Sequence, residues 1–144
     1  MRINGVWQLD EHEVTEPVLF GRLQRLDSSW IPAAFLIDTG AERTLLSPDI
    51  LEALGFVATP SRHQFVGLGG AVDVWTVQTK LRLDLDSGSH IDINGPFDGL
   101  HSGREGEMSI LGRDVIGHFA TIFDRPADTI TLLHGRHRYS IHEQ

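Results

Sequence analysis

The segment FLIDTGAERTLLS, residues 35–47, decides the fold of this chain. Apolar residues lead into Asp38, Thr39 and Gly40, and apolar residues resume at Leu45. A carboxylate at the end of a strand built for burial is costly unless it is paired or hydrogen-bonded. Asp38 is therefore either a structural turn residue or a residue placed there for chemistry.

The composition narrows the class of protein and its partners. A chain of 144 residues, 40% of them hydrophobic, suits one globular domain. A net charge of −8 argues against nucleic acid as a partner, because phosphate backbones are bound by clustered cations. The short basic cluster at residues 136–138 is interpreted as part of a solvated tail. The chain has no cysteine, which excludes disulfides, thiolate chemistry and cysteine-rich zinc sites.

The sequence shows neither a signal peptide nor a membrane-spanning segment. The first ten residues lack the apolar core of a signal peptide, and no apolar run approaches the roughly 18 residues that would span a membrane. We therefore expect a soluble cytoplasmic protein with no membrane partner.

Two strands are predicted to precede Asp38 and to fix its position. Residues 17–26 alternate apolar and polar side chains at period two, which indicates a half-buried strand. Residues 30–37 are nearly all apolar, as in a strand covered on both faces, and a turn at 27–29 joins the two. The pair predicts a hairpin whose second strand ends at Asp38.

The rest of the chain predicts short strands and two short helices. Ser47 as N-cap, Pro48 in the first turn and Gly55 at the exit predict one helix, and residues 113–119 predict the second. The remaining strands are predicted at 62–66, 72–78, 80–85, 90–93, 109–112, 120–124 and 129–133, with a short apolar piece at 44–46 and a loop over 94–107. The fold is therefore mostly β.

Gly67, Leu68, Gly69 and Gly70 connect two of these strands. A phosphate-binding loop is the rival interpretation, but such loops open a helix, whereas this one leads into the strand sequence AVDVWTV. Because glycine resists ordering, the segment predicts a mobile hairpin tip.

An aspartate on a rigid strand end suits one particular hydrolytic chemistry. Two carboxylates that share one proton hold an acid and a base together, since like charges this close cannot both ionise. A water between them is deprotonated by one carboxylate while the other protonates the substrate carbonyl oxygen. A neighbouring threonine hydroxyl and glycine amide can orient such a carboxylate.

Three motifs in order resemble the retropepsin-like aspartic protease family. LIDTGAERTLL at 36–46 resembles its active-site strand, FVGLGGAVDVW at 65–75 its glycine-rich flap, and SILGRDVIGHF at 109–119 its Gly-Arg-Asn/Asp motif. The resemblance covers roughly residues 16–133. It implies a single-lobe acid-protease β-barrel with a flap hairpin and one or two short helices. It further implies a domain at 16–135, after an N-terminal extension at 1–15 and before a polar tail at 136–144.

The resemblance also implies roles for the residues of the first motif. Asp38 matches the catalytic aspartate, and Gly40 belongs to the same catalytic loop. Thr39 takes the threonine position, from which the hydroxyl bonds across to the partner subunit. Gly40 and Ala41 line the substrate backbone. Glu42 stands where the family usually has an aspartate that contacts substrate.

Supporting and substrate-binding residues follow from the other two motifs. Arg113 matches the family's arginine, so an ion pair with Glu42 is expected. Asp114 matches a residue that braces the active-site loop, here through Thr44, and Gly112 completes that supporting motif. The flap residues expected to contact substrate are Val66, Gly67, Leu68, Gly69 and Gly70.

The chemistry needs a second aspartate. Asp86-Ser87-Gly88 is an accepted variant of the motif, but it follows Asp38 too closely for a second lobe and is interpreted as a hairpin turn. The second aspartate is therefore expected from Asp38 of another copy, brought close by the two-fold axis of a homodimer.

Two function classes remain open. One is a homodimeric aspartic endopeptidase that cuts an extended polypeptide, and the other is a non-catalytic retropepsin-like module that dimerises or binds peptides. No metal or cofactor is predicted. His134 and His137 flank a glycine after a strand and are interpreted as tail residues rather than a metal pair. No Gly-x-Ser-x-Gly elbow for a serine nucleophile is present.

Overall fold

The fold is described from a computed structural model that covers residues 1–56, 59–67, 69–103 and 107–144. Leu68, one of the predicted substrate contacts, lies outside the described residues. The strands are β1 Arg2–Leu9, β2 Thr15–Gln24, β3 Trp30–Ile37, β4 Leu45–Leu46, β5 Thr59–Gly67, β6 Gly70–Val77, β7 Lys80–Asp84, β8 His90–Asn94, β9 Phe97–Leu100, β10 Ser109–Leu111, β11 Phe119–Asp124 and β12 Thr129–His134. The helices are α1 Pro48–Leu54 and α2 Arg113–Ile116.

One sheet contains all twelve of these strands. Its order is β11-β12-β1-β2-β3-β10-β4-β9-β6-β5, while β7 pairs with both β2 and β8. The prediction of a mostly β fold with two short helices is confirmed. The sheet does not close into a barrel, however, because β11 and β5 stand at opposite ends of the path formed by the described strands.

The β2–β3 hairpin forms the centre of the sheet. The two strands pair antiparallel, with Leu19 opposite Phe35, and both side chains are fully buried. The other edge of β3 pairs in parallel with β10. Because both edges of β3 are hydrogen-bonded, the residue that follows it, Asp38, starts from a fixed position.

The helix α1 ends as its sequence predicts. Gly55 adopts a left-handed conformation with φ of 76°, and its amide donates to the carbonyl oxygen of Glu52. Ser47 stands at the N-cap position, but its side chain makes no capping bond. Its amide instead donates to the hydroxyl of Ser109, which ties the start of α1 to β10.

The N-terminal segment is part of the sheet. The strand β1 lies between β12 and β2, and Ile3 is buried in the core. The boundary at residue 16 between an extension and a domain stays a prediction, but residues 2–9 pack as sheet residues rather than as a free arm.

Two local predictions are wrong. The predicted loop 94–107 contains β9, which pairs in parallel with β4 and antiparallel with β6. Turn-forming Gly95, Pro96 and Gly99 hide this strand from sequence patterns, but its neighbours on both edges stabilise it. The second helix ends at Ile116 rather than at Phe119, where β11 begins.

The core is formed by the central hairpin, β1, β7, β12 and the residues around α1 and α2. Its largest fully buried side chains include Phe35, Phe97, Leu19, Leu23, Leu46, Leu54, Leu81, Leu83, Leu111, Ile130 and Leu132. In the described part of the chain, neither helix has the length and apolar character needed to cross a membrane.

Candidate active site

Asp38 is the first residue after β3, and backbone hydrogen bonds fix its position. Its amide donates to the carbonyl oxygen of Leu111 over 3.1 Å, and the amide of Ala41 donates to its carbonyl oxygen over 3.2 Å. The carboxylate atom Oδ1 accepts a bond of 2.9 Å from the amide of Gly40. The half-buried side chain therefore has one oriented oxygen, while Oδ2 has no partner among the described residues.

Asp114 braces this loop from α2. Its Oδ1 accepts hydrogen bonds from the amide and the hydroxyl of Thr44, over 2.9 and 2.7 Å, and one of 2.9 Å from the amide of Val115. The hydroxyl of Thr44 in turn accepts a bond of 3.0 Å from the amide of Gly112. The predicted contact between Asp114 and Thr44 is confirmed, and it joins two motifs that are far apart in sequence.

Gly112 allows the two motifs to meet. A Cβ atom at this position would lie 2.4 Å from the carbonyl carbon of Arg43 and 2.8 Å from the amide nitrogen of Thr44, both backbone atoms. Real Cβ atoms essentially never approach other atoms within 3.0 Å. Close approach of the backbone, rather than an unusual φ, therefore requires glycine here.

The expected ion pair between Glu42 and Arg113 does not form among the described residues. The guanidinium of Arg113 instead donates to the carbonyl oxygen of Thr39 over 3.0 Å, so the Arg113 side chain lies against the active-site loop. The two motifs are joined here through the backbone, since the amide of Arg113 donates to the carbonyl oxygen of Ala41 and that of Asp114 to the carbonyl oxygen of Glu42.

A cavity of about 660 Å³ opens beside Asp38. Its lining residues are Asp38, Gly40, Ala41, Glu42, Arg43, Gln64, Phe65, Val66, Asp98, Ile110 and Arg113. Predicted site residues from all three motifs are therefore brought together around one space. Thr39 is exposed beside it.

The β5–β6 hairpin contributes to the wall of this cavity through Gln64, Phe65 and Val66 of β5. Gly67 pairs with Gly70, whose φ is 101°, and the chain continues as a strand. Gly69 and Gly70 line a second, mainly apolar cavity of about 230 Å³. Phe65 and Ile110 line both cavities and so lie between them.

A family model described as aspartyl protease matches residues 27–115, which include Asp38, its loop and Asp114. The chain belongs to the aspartyl protease family. The match spans more than half of the sequence and covers the motifs that meet around the cavity.

A solved structure of a retropepsin-like aspartic protease shares the fold of this chain. A retropepsin-like aspartic protease from Rickettsia conorii superposes with a TM-score of 0.59 and 15% identity, covering 92% of this chain and 89% of that one. EIAV protease complexed with the inhibitor HBY-793 gives a TM-score of 0.47 and 22% identity, covering 71% and 86% of the two chains. A search of curated proteins found no match.

Asp86 lies in a turn, as predicted. The amide of Leu85 donates to the carbonyl oxygen of Ser89, and Gly88 has a φ of 86°. The carboxylate of Asp86 accepts a bond of 3.0 Å from the amide of Arg2, and this bond holds the pKa of Asp86 below its usual value. Asp86 thus fastens β1 to the β7–β8 hairpin.

The sequence patterns missed Asp98, a carboxylate in the cavity wall. It lies in β9, is 3% exposed, and accepts a bond of 2.8 Å from Nε of Arg43, which is 55 positions away. The segment around it predicts a loop, so nothing in the sequence marks Asp98 as buried or pairs it with Arg43.

Proposed function

We propose that the chain is an aspartic endopeptidase that acts as a homodimer, with Asp38 of each subunit forming the catalytic pair. The observation that carries the proposal is the placement of Asp38: a carboxylate at a rigid strand end, oriented by the amide of Gly40, in the wall of a cavity of about 660 Å³. Membership of the aspartyl protease family agrees with this chemistry.

The reaction needs two carboxylates that share one proton. The ionised carboxylate takes a proton from water while the oxygen of that water attacks the carbonyl carbon of the peptide bond. The protonated carboxylate gives its proton to the carbonyl oxygen at the same time. The tetrahedral intermediate then collapses: the C–N bond breaks, the leaving nitrogen takes up the proton that the water lost, and one hydroxyl of the intermediate returns its proton to the other carboxylate, which restores the pair.

The second carboxylate is assigned to another copy of the chain. Asp86 is held in a turn by the amide of Arg2, and Asp98 is paired with Arg43, so neither supports a role as the partner of Asp38. Thr39 and Gly40 are exposed beside Asp38, which leaves this surface open to an identical subunit. A two-fold axis at this surface brings the two Asp38 side chains together.

The β5–β6 hairpin is assigned the role of a flap. Val66 is 75% exposed although it is apolar, and it lines the cavity, so substrate can cover it. Gly67, Gly69 and Gly70 give the tip the backbone freedom to close over an extended peptide. Ala41 and Glu42 also line this cavity, where the backbone of the peptide would bind as an added strand.

The test is the cleavage of a peptide library by the wild-type protein and by Asp38→Asn. We expect the substitution to abolish cleavage while the melting temperature changes little, because the amide keeps the shape of the carboxylate. Asp86→Asn is the matched control, since it changes the other candidate aspartate, and it should leave cleavage per folded molecule unchanged. Equal cleavage by wild type and Asp38→Asn would exclude the proposal. A wild-type protein that binds peptides without cutting them would favour the non-catalytic module.

A further inference from the structure

Asp98 and Arg43 form an ion pair in which both side chains still have polar atoms without hydrogen-bond partners among the described residues. Oδ2 of Asp98 accepts the bond from Nε of Arg43, but Oδ1 is buried and has no donor among the described residues. The Nη groups of Arg43 have no partner in the described part of the chain either. A buried acceptor without a donor costs on the order of 1–3 kcal/mol.

The pair belongs to the wall of the cavity that holds Asp38. Arg43 follows Asp38 by five positions in the same loop, and Asp98 lies in β9 opposite Leu45 of β4. The amide of Asp98 donates to the carbonyl oxygen of Thr44 over 3.1 Å, so the backbone that carries the carboxylate is fixed to the active-site loop. Arg43 and Asp98 both line this cavity, so a group bound there can supply the donor that the carboxylate of Asp98 lacks.

We propose that Arg43 and Asp98 form a specificity-determining subsite that accepts the carboxamide of a glutamine or asparagine side chain. This inference rests on the proposed function in one respect, namely that a peptide occupies the cavity. A carboxamide carries a donor for the carboxylate of Asp98 and an acceptor for the Nη groups of Arg43. The pair is neutral in sum, so a charged side chain would meet a like charge on one of the two partners.

The neighbouring apolar cavity suggests which two side chains of a bound peptide would occupy the two sites. It is lined by Leu45, Met108 and Ile110, among others, and it shares Phe65 and Ile110 with the cavity of Asp38. Side chains two positions apart fall on the same side of an extended peptide. We therefore expect a peptide with an apolar side chain in the 230 Å³ cavity to present the side chain two positions away to Arg43 and Asp98.

Binding to the Asp38→Asn protein tests the subsite separately from cleavage. Peptides carry one fixed apolar side chain and, two positions away, Gln, Glu, Lys or Leu, and both directions of the spacing are included. Fluorescence anisotropy gives the Kd of each peptide. We expect Gln to bind about tenfold more tightly than Glu, Lys or Leu, the effect of one well-made polar contact.

Two substitutions shift this preference in opposite directions. Asp98→Asn, which keeps the side-chain shape, leaves Arg43 without its counter-charge and should make Glu the preferred side chain by about tenfold. Arg43→Met leaves the carboxylate uncompensated and should favour Lys to a similar extent. If the uncompensated charge of Asp98 prevents the Arg43→Met protein from folding, the peptide preference of Asp98→Asn alone tests the proposal.

The control is Asp84→Asn, which breaks the ion pair of 2.6 Å between Asp84 and Arg22, two residues that do not line the cavity. It should leave the order of the four peptides unchanged. The proposal is overturned if Gln binds no better than Leu, if no peptide binds, or if Asp98→Asn leaves the order unchanged. Failure of the proposed function shows itself differently, as wild-type protein that binds the Gln peptide but leaves it uncut.

Discussion

The carboxylate of Asp114 accepts hydrogen bonds from both the amide and the hydroxyl of Thr44, a residue 70 positions earlier in the chain. Thr44 is fully buried, so water does not replace these bonds when they are lost. The loop that carries Asp38 is thereby fixed by a side chain from α2. The geometry of the candidate site therefore depends on a residue that does not line its cavity.

Asp114→Ala should lower the free energy of unfolding by about 2–3 kcal/mol, because it leaves buried donors of Thr44 without an acceptor. Urea unfolding measures the effect. Asp84→Ala is the control, since its exposed ion pair with Arg22 should contribute less than about 1 kcal/mol. Equal losses from the two substitutions would contradict the bracing role of Asp114.

Gly112→Ala should destabilise the protein by about 1–3 kcal/mol, because its Cβ would overlap the backbone of Arg43 and force the two motifs apart. Gly69→Ala is the matched control: a Cβ at Gly69 meets no atom within 4 Å, so stability should be almost unchanged. Thermal unfolding compares the two proteins. A Gly112→Ala protein as stable as the wild type would show that the backbones can separate freely.

Asp92 should make stability depend on acid pH. Hydrogen bonds from Arg82, at 2.7 and 2.8 Å, hold the pKa of Asp92 below its ordinary value of 3.8. The stabilisation is therefore present above about pH 4 and is lost as the pH falls through the lower folded-state pKa. Wild type should exceed Asp92→Asn by roughly 0.5–1 kcal/mol near neutral pH, and the gap should close in acid. A gap that urea unfolding finds constant down to about pH 2 would refute this.

Residues 1–9 should be needed for stability. Their removal deprives β2 and β12 of a pairing partner and opens the core at Ile3. We expect a large fall in melting temperature or loss of folding. Removal of residues 136–144, which are exposed throughout, is the control and should have little effect. Equal tolerance of both deletions would support the predicted division that treats residues 1–15 as an extension.

Local patterns predict the central part of this fold well. The period-two alternation of β2 and the apolar run of β3 are set by burial against neighbouring strands, and the exit of α1 is set by the conformational freedom of Gly55. The position of Asp38 and the contact between Asp114 and Thr44 follow from the resemblance to the retropepsin-like family.

Long-range contacts account for the rest. The strand β9 is stabilised by β4 and β6 on its two edges, although its own residues favour turns. Asp98 becomes a cavity residue only through that pairing. The ion pair expected for Arg113 is replaced by a bond to the carbonyl oxygen of Thr39, which the spacing of residues in the sequence does not predict.

The measurement that tests the central claim most directly is the activity of mixed dimers. Wild-type and Asp38→Asn chains are unfolded together in equal amounts, refolded, and assayed for cleavage per mole of wild-type chain. If one Asp38 from each subunit forms the catalytic pair, random pairing leaves about a quarter of the dimers active, and activity per wild-type chain falls to about half. Unchanged activity per wild-type chain would mean that each subunit works alone, and would contradict the shared pair.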